Sequence, residues 1–204
     1  MRRERRGPHK RSTRGTAKDS RRGAGSRDFR VSPRLAAKLA GVRLFLCDVD
    51  GILTDATVVM GGGAEYKVFN VQDGLGLRLL QRCGIKVGWI SARPSPATNQ
   101  RAEDLKIDFL HQSAGSKVAA VEAILRQAGR RWEEICYMGD DIVDLGVLRR
   151  VGVAVTVANA IPEAKALAHY VTSAEGGRGA VREVVHLILR AQHQWERLVR
   201  EYLA

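Results

Sequence analysis

The stretch FLCDVDGILTD places three carboxylates, Asp48, Asp50 and Asp55, straight after the apolar run of residues 42–47. Like charges crowded at the end of a buried segment repel one another unless something positive sits among them. Either the stretch is a solvated loop, or it is a place where a cation and a phosphate meet. Similar residue types recur downstream. Ser91 and Arg93 follow the apolar run 85–90, Lys117 follows HQSAGS, and Asp140, Asp141 and Asp144 follow the run 135–138 in GDDIVD.

Such a set suits phosphoryl transfer. A carboxylate such as Asp48 can attack phosphorus and form an aspartyl-phosphate, dividing one hard hydrolysis into two easier steps. The dianionic substrate repels that nucleophile, so a metal is needed to screen both. Hard oxygen ligands with no His or Cys among them select Mg²⁺. Asp48 and Asp140 would hold it, joined by Asp50 through its backbone carbonyl and by waters. Asp50 lies two residues on, on the same side of an extended segment as Asp48. It can protonate the leaving alcohol and later deprotonate the attacking water. Ser91 can donate to a phosphoryl oxygen, and Lys117 can neutralise the developing charge. Each residue alone has a duller reading: a helix cap for Ser91, a solvated lysine for Lys117, a surface charge for Asp144, a helix-dipole partner for GDD. The ordered set, each member after its own apolar run, favours the chemical reading.

The elements that must position these groups alternate. Short apolar runs at 42–47, 85–90, 108–110, 135–138, 153–157 and 169–171 predict strands. Residues 57–60 and 65–69, joined by Gly61, Gly62 and Gly63, predict a β-hairpin, because glycine permits the turn's positive φ. Helices are predicted over 75–83, 97–105, 116–127 and 143–150, and from Pro162. A closing helix over 180–202 carries an apolar stripe at three- and four-residue spacing, which suits cover for the domain's own core or an intersubunit seam. The implied fold is α/β, a Rossmann-like, mostly parallel sheet with helices on both faces and the hairpin inserted after the first strand. In such sheets ligands bind beyond the carboxyl ends of the strands, where this set falls.

Composition bounds the rest. The chain has 204 residues, 45% of them apolar, enough for one good core. Its net charge of +12 is concentrated at one end: residues 1–34 hold thirteen Lys or Arg against Glu4, Asp19 and Asp28, so ten of the twelve charges lie there. Residues 1–32 read as a disordered basic extension and 33–204 as the folded domain. The extension could hold nucleic acid weakly by counterion release; a solvated arm or a start placed too far upstream are the plainer readings. A nearly neutral remainder with 5% aromatic residues overall argues against a dedicated nucleic-acid binder. Cys47, Cys83 and Cys136 make a poor disulfide framework and fit a reducing cytoplasm. No apolar run approaches the roughly 18 residues of a membrane span, and no secretory h-region is expected.

At these residues the sequence resembles the haloacid dehalogenase-like phosphatases. DVDGILTD is similar to their first motif, Ser91 to their second, Lys117 to their third and GDDIVD to their acidic fourth. The likeness extends to one branch, the 3-deoxy-D-manno-octulosonate 8-phosphate phosphatases, through KVFNVQDGLGLRLL, GWISARP and GGRGAVRE, over roughly residues 33–195. It implies a Mg²⁺-dependent, cytoplasmic phosphatase releasing the free sugar acid for lipopolysaccharide synthesis, with the hairpin in place of a cap domain. It further implies a homotetramer in which hairpins associate and Arg178 approaches a neighbour's substrate. Lys67 and Arg93 would lie near the sugar acid, with Gln72 and Asp73 in the segment that lines the pocket. Ala92 stands where the family usually has Gly, a restriction if that loop needs positive φ. Gln72 stands where a basic residue is common, which leaves open a nine-carbon ketodeoxy sugar-acid phosphate as substrate. A different class, a non-catalytic partner domain of a sugar nucleotidyltransferase, is opposed by the intact chemical set.

Overall fold

A computed structural model describes residues 31–204. The basic extension expected over 1–32 lies, but for its last two residues, outside the described residues. The chain enters through helix α1 (Pro33–Ala40), which the sequence reading did not anticipate. Ser32 starts it by accepting the Leu35 N–H at 3.2 Å, and Pro33 supplies the helical φ. Strand β1 (Leu44–Cys47) follows, all four residues fully buried, as a strand covered on both faces requires. In the hairpin β2 (Val59–Gly61) and β3 (Ala64–Tyr66) the turn needs only Gly62 and Gly63, at φ 57° and 74°, so Gly61 joins β2, while the outer ends expected at 57–58 and 67–69 are not strand.

Helix α2 (Val71–Arg82) begins a turn earlier than predicted. Asn70 caps it, its Oδ1 accepting the N–H groups of Gln72 at 2.8 Å and Asp73 at 3.3 Å. Then come β4 (Lys86–Ser91), α3 (Pro96–Asp104), β5 (Phe109–Gln112), α4 (Lys117–Ala128) and β6 (Ile135–Met138). The helix expected over 143–150 is a 3₁₀ turn at Ile142–Asp144 leading into a single turn, α5 (Leu145–Leu148). Next are β7 (Val153–Thr156), α6 (Pro162–Leu167) and β8 (Tyr170–Val171).

The closing helix is two helices, α7 (Ala180–Ala191) and α8 (Trp195–Leu203). The chain turns at His193, whose φ is 55°. Gln192 fixes the turn from its side chain, donating to the carbonyls of Val42 at 2.9 Å and Leu39 at 3.3 Å. The turn lets α8 fold back toward α2, where Arg82 pairs with Glu201 at 2.7 Å. A periodic apolar stripe continues across a bend of this kind, so periodicity alone could not show it.

The six strands lie in the order β5-β4-β1-β6-β7-β8, all parallel. Helices α1, α2 and α7 pack together, as do α4, α5 and α6, giving a helical layer for each face. The chain builds outward from β1 to β5, then returns to place β6 on the other side of β1. That reversal opens a crevice beyond the carboxyl ends of β1 and β6. In register, Cys47 lies beside both Trp89 and Met138, so Asp48 and Gly139 leave the sheet at the same level.

A non-glycine residue in the left-handed region costs about 1–2 kcal/mol. His193→Gly is therefore expected to raise the melting temperature by about 2–4 °C, checked by calorimetry. An unchanged or lower value would mean the histidine side chain compensates its own strain.

Candidate active site

Asp48 is the first residue beyond β1, and the ladder continues through it, its N–H donating to Met138 O at 2.9 Å. It is only 6% exposed. Its Oδ1 accepts the Val49 N–H at 2.6 Å, and its Oδ2 lies 2.6 Å from Lys117 Nζ. Lys117 opens α4 and is equally buried, its ammonium also 2.7 Å from Asp144 Oδ1. Burial works against that ammonium, but Asp48 and Asp144 outweigh it and hold its pKa above the ordinary lysine value. Burial, then the charge of Asp144, pushes Asp48 up to about 6 despite Lys117.

Asp144 is fully buried. Its Oδ1 also accepts from the Tyr137 hydroxyl, and its Oδ2 accepts the N–H groups of Asp140 at 3.2 Å and Asp141 at 3.3 Å. Those bonds draw residues 140–144 into the tight turn seen in place of a longer helix, and they aim Asp140 across the crevice. Asp140 is fixed by its backbone too, its carbonyl accepting the Ile161 N–H at 3.1 Å. Burial, then the charges of Asp48 and Asp144, pushes its carboxyl up to about 7.

Carboxylate oxygens of Asp48, Asp140 and Asp144 lie within 4.8 Å of one another. Three carboxylates face one ammonium, leaving a deficit of two positive charges. Asp140 Oδ1 is buried with no hydrogen-bond partner. An all-oxygen donor set with this deficit fits a hard divalent cation, and Mg²⁺ fits it well. Each Asp144 oxygen takes two protein donors, whereas each Asp48 oxygen takes one and Asp140 Oδ1 takes none, so Asp48 and Asp140 are the side chains with acceptor capacity left for the ion. The Asp50 side chain is turned elsewhere, its Oδ1 2.7 Å from Lys67 Nζ. Its backbone carbonyl is what remains of Asp50 for a metal.

Close backbone packing secures the loop after β1. Gly51 has φ 93°, and a Cβ there would stand 2.1 Å from Asp140 Oδ2. A Cβ on Gly176 would stand 1.8 Å from the Gly51 carbonyl oxygen. Glycines of the GGRG stretch thus press directly on the DVDG loop. Arg178 in that stretch is exposed, its Nη2 3.4 Å from Asp55 Oδ2, apart from the Asp48–Lys117–Asp144 group.

Ser91 ends β4 and is 1% exposed; its hydroxyl accepts the Arg93 N–H at 3.1 Å and donates to the Arg93 carbonyl at 3.0 Å. Ala92 is not among the positive-φ residues, so alanine fits this loop without strain. Arg93 reaches back to the hairpin, 2.8 Å from Glu65 Oε2. Gln72 is exposed. Asp73 is buried, and its Oδ1 accepts the Arg182 N–H at 2.7 Å, so it caps the start of α7 from α2. Burial pushes its carboxyl up to about 6 even so.

Sequence reasoning missed Tyr137, Glu65 and Ser95, and it left Asp144 as one end of an acidic motif. Tyr137 carries no signal, being one apolar-looking residue of a buried strand. The spacing of Asp144, four residues beyond Asp140 in a turn, was the available clue.

Comparison with known proteins places the chain in a family. A profile for haloacid dehalogenase-like hydrolases matches residues 88–184. The chain is 42% identical over 167 residues to the 3-deoxy-D-manno-octulosonate 8-phosphate phosphatase of Yersinia pestis, covering 81% of this chain and 89% of that protein. The crystal structure of the Yersinia enzyme superposes with a TM-score of 0.80, covering 81% of this chain and 90% of that one. The enzyme from Moraxella catarrhalis, solved with a magnesium ion, a phosphate ion and a KDO molecule, is 36% identical with a TM-score of 0.81, covering 82% and 97%.

The raised pKa values fix the sign of a pH effect. Folded Asp48 and Asp140 keep protons that the unfolded chain has released, so their contribution to stability is full below about pH 4. It is lost as pH rises through about 6 and about 7. Metal-free Asp140→Asn should therefore melt a few degrees above the parent protein at pH 8, with the gap closing toward pH 4. It should also lose the rise in melting temperature that Mg²⁺ gives the parent. Equal melting of the two proteins at pH 8, or an intact Mg²⁺ response, would refute the placement of Asp140.

Proposed function

The chain belongs to the haloacid dehalogenase-like hydrolases, in the branch of the 3-deoxy-D-manno-octulosonate 8-phosphate phosphatases, and from that premise we propose that it hydrolyses 3-deoxy-D-manno-octulosonate 8-phosphate to the sugar acid and phosphate, a step toward lipopolysaccharide. The observation that carries this reading is the buried group of Asp48, Asp140 and Asp144 around Lys117, set in a chain that matches 89% of the Yersinia phosphatase.

Asp48 is the nucleophile. Its Oδ2 is paired with Lys117 and its Oδ1 with a backbone N–H, which orients the carboxylate at the mouth of the crevice. Attack forms an aspartyl-phosphate on Asp48 and expels the sugar alkoxide. Asp50, once released from Lys67 and protonated, gives that alkoxide its proton, then takes one from the water that hydrolyses the acyl phosphate. The Ser91 hydroxyl, once released from the Arg93 carbonyl, donates to a phosphoryl oxygen, and Lys117 offsets the negative charge that builds there. Mg²⁺, held by Asp48, Asp140 and the backbone carbonyl of Asp50, would supply charge screening between the two anions. Lys67 and Arg93 receive the sugar acid.

Several features support the wider reading. Val59, Met60, Tyr66, Val68 and Val71 put an exposed apolar strip along the hairpin and the start of α2, which fits association into a homotetramer. In that assembly the exposed Arg178 would reach a neighbour's substrate. All three cysteines are unpaired, which fits a cytoplasmic enzyme, and no described helix is long and apolar enough to cross a membrane. The catalytic unit is residues 33–204.

Phosphate release with Mg²⁺ should favour the eight-carbon ester over the nine-carbon one, and Asp48→Asn should lower it by on the order of a thousandfold. Light scattering on the same sample should give the mass of four chains. Preference for the nine-carbon ester would move the substrate and keep the chemistry. No turnover of either would overturn the reading.

A further inference from the structure

Lys67 has no exposed side-chain surface, although it lies beside an exposed hairpin. Its ammonium sits between two carboxylates, 2.7 Å from Asp50 Oδ1 and 3.7 Å from Glu65 Oε1. Glu65 is itself a bridge. Its Oε2 lies 2.8 Å from Arg93 Nη1, and its Oε1 accepts the Ser95 hydroxyl at 2.7 Å. The Ser95 hydroxyl first, working against burial, and with it the cations Arg93 and Lys67, hold the Glu65 carboxyl below its ordinary range.

The two ends of this network come from different parts of the fold. Glu65 and Lys67 belong to the hairpin side, on and just after β3, whereas Arg93 and Ser95 lie in the loop that carries Ser91 from β4 to α3. Ser95 is doubly anchored, its N–H donating to Gln112 at 2.9 Å and its hydroxyl accepting the Thr98 N–H at 3.3 Å. One carboxylate therefore ties the hairpin to the loop after β4. Beside it opens a cleft of about 550 Å³ lined by Glu65, Lys67, Phe69, Gln100 and Arg101.

Charge explains why a carboxylate is needed there. Lys67 and Arg93 are like charges gathered at one end of the site, and they repel unless an anion lies between them. Asp50, Glu65, Lys67 and Arg93 together are neutral; without Glu65 the group is left positive. Lys67 would then have Asp50 as its remaining partner here, and Arg93, with 44% of its side chain exposed, would sample many rotamers. A long cation that must be ordered at the moment of binding binds less tightly than one already in place.

We propose that Glu65 is a positioning residue of the sugar-acid subsite: its carboxylate, backed by the buried Lys67, holds the exposed Arg93 beside the cleft, ready for the carboxylate end of the substrate. The inference rests on the reading above, in which those two cations receive the sugar acid. Glu65 acts through them and touches none of the reacting atoms.

The test compares two esters, 3-deoxy-D-manno-octulosonate 8-phosphate and p-nitrophenyl phosphate, which has no carboxylate. Glu65→Gln should lower kcat/KM on the sugar acid about tenfold more than on the nitrophenyl ester, chiefly through KM. Glu65→Asp, which keeps the charge, should fall between Glu65→Gln and the parent enzyme. Residual turnover of the nitrophenyl ester reports that each variant has assembled its site. Equal losses on both esters, or none on either, overturn the role of Glu65. Arg93→Met separates the two readings. If it too loses equally on both esters, the cations do not receive the sugar acid, and the subsite itself is wrong. If Arg93→Met is selective and Glu65→Gln is not, the subsite stands and Glu65 has no part in positioning it.

Discussion

The site depends on one ammonium group. Lys117 Nζ lies 2.6 Å from Asp48 and 2.7 Å from Asp144, in a place almost closed to water. Removing one partner of such a buried pair typically costs about 3–5 kcal/mol, because the other charge stays buried without compensation. Here two carboxylates depend on the same cation, and a third, Asp140, stands close by. A single lysine can keep them together but cannot neutralise them. The fold therefore stores a deficit of positive charge at the end of its central strand. A divalent cation and a charge-developing reaction can use that deficit, whereas an apolar core could not tolerate it.

Much of the surrounding backbone keeps this arrangement from relaxing. Asp144 spends its oxygens on Lys117, Tyr137 and two backbone N–H groups, so it orients rather than reacts. Gly51 and Gly176 allow three loops to touch, and side chains at either position would collide with Asp140 or with the Gly51 carbonyl. Across the crevice a second, neutral group of charges joins the hairpin to the loop after β4 through Glu65. Polar networks of this kind are stable when every member is satisfied and costly when one is lost. The Lys117 network and the Glu65 network are thus separate, and Asp50, two residues beyond Asp48, carries the second to the edge of the first.

The sequence made the strands and the chemical set legible for a definite reason. Strands buried on both faces read as short apolar runs, and the candidate groups Asp48, Ser91 and Asp140 sit one or two residues beyond those runs, so they could be placed by counting, while Lys117 was placed as the opening residue of a helix. The helix boundaries were less visible. Residues 180–202 keep an apolar period through the bend at His193, which is made by backbone conformation and by the Gln192 side chain. The Asp144 turn replaced a predicted helix because its side chain took the backbone donors. The role of Asp73 as a cap on α7 joins residues 109 positions apart, and no local pattern reports such a contact. The Glu65 bridge is hidden for the same reason, since its partners belong to a different loop.

The most direct test asks whether Asp48 carries phosphate. The enzyme would be mixed with 3-deoxy-D-manno-octulosonate 8-phosphate and Mg²⁺, quenched in acid within a turnover, and its peptides weighed by mass spectrometry. A phosphoryl adduct on the peptide containing Asp48, absent from Asp48→Asn, is the expected result. Phosphate release with no adduct at Asp48, or an adduct on another residue, would contradict the account at its centre.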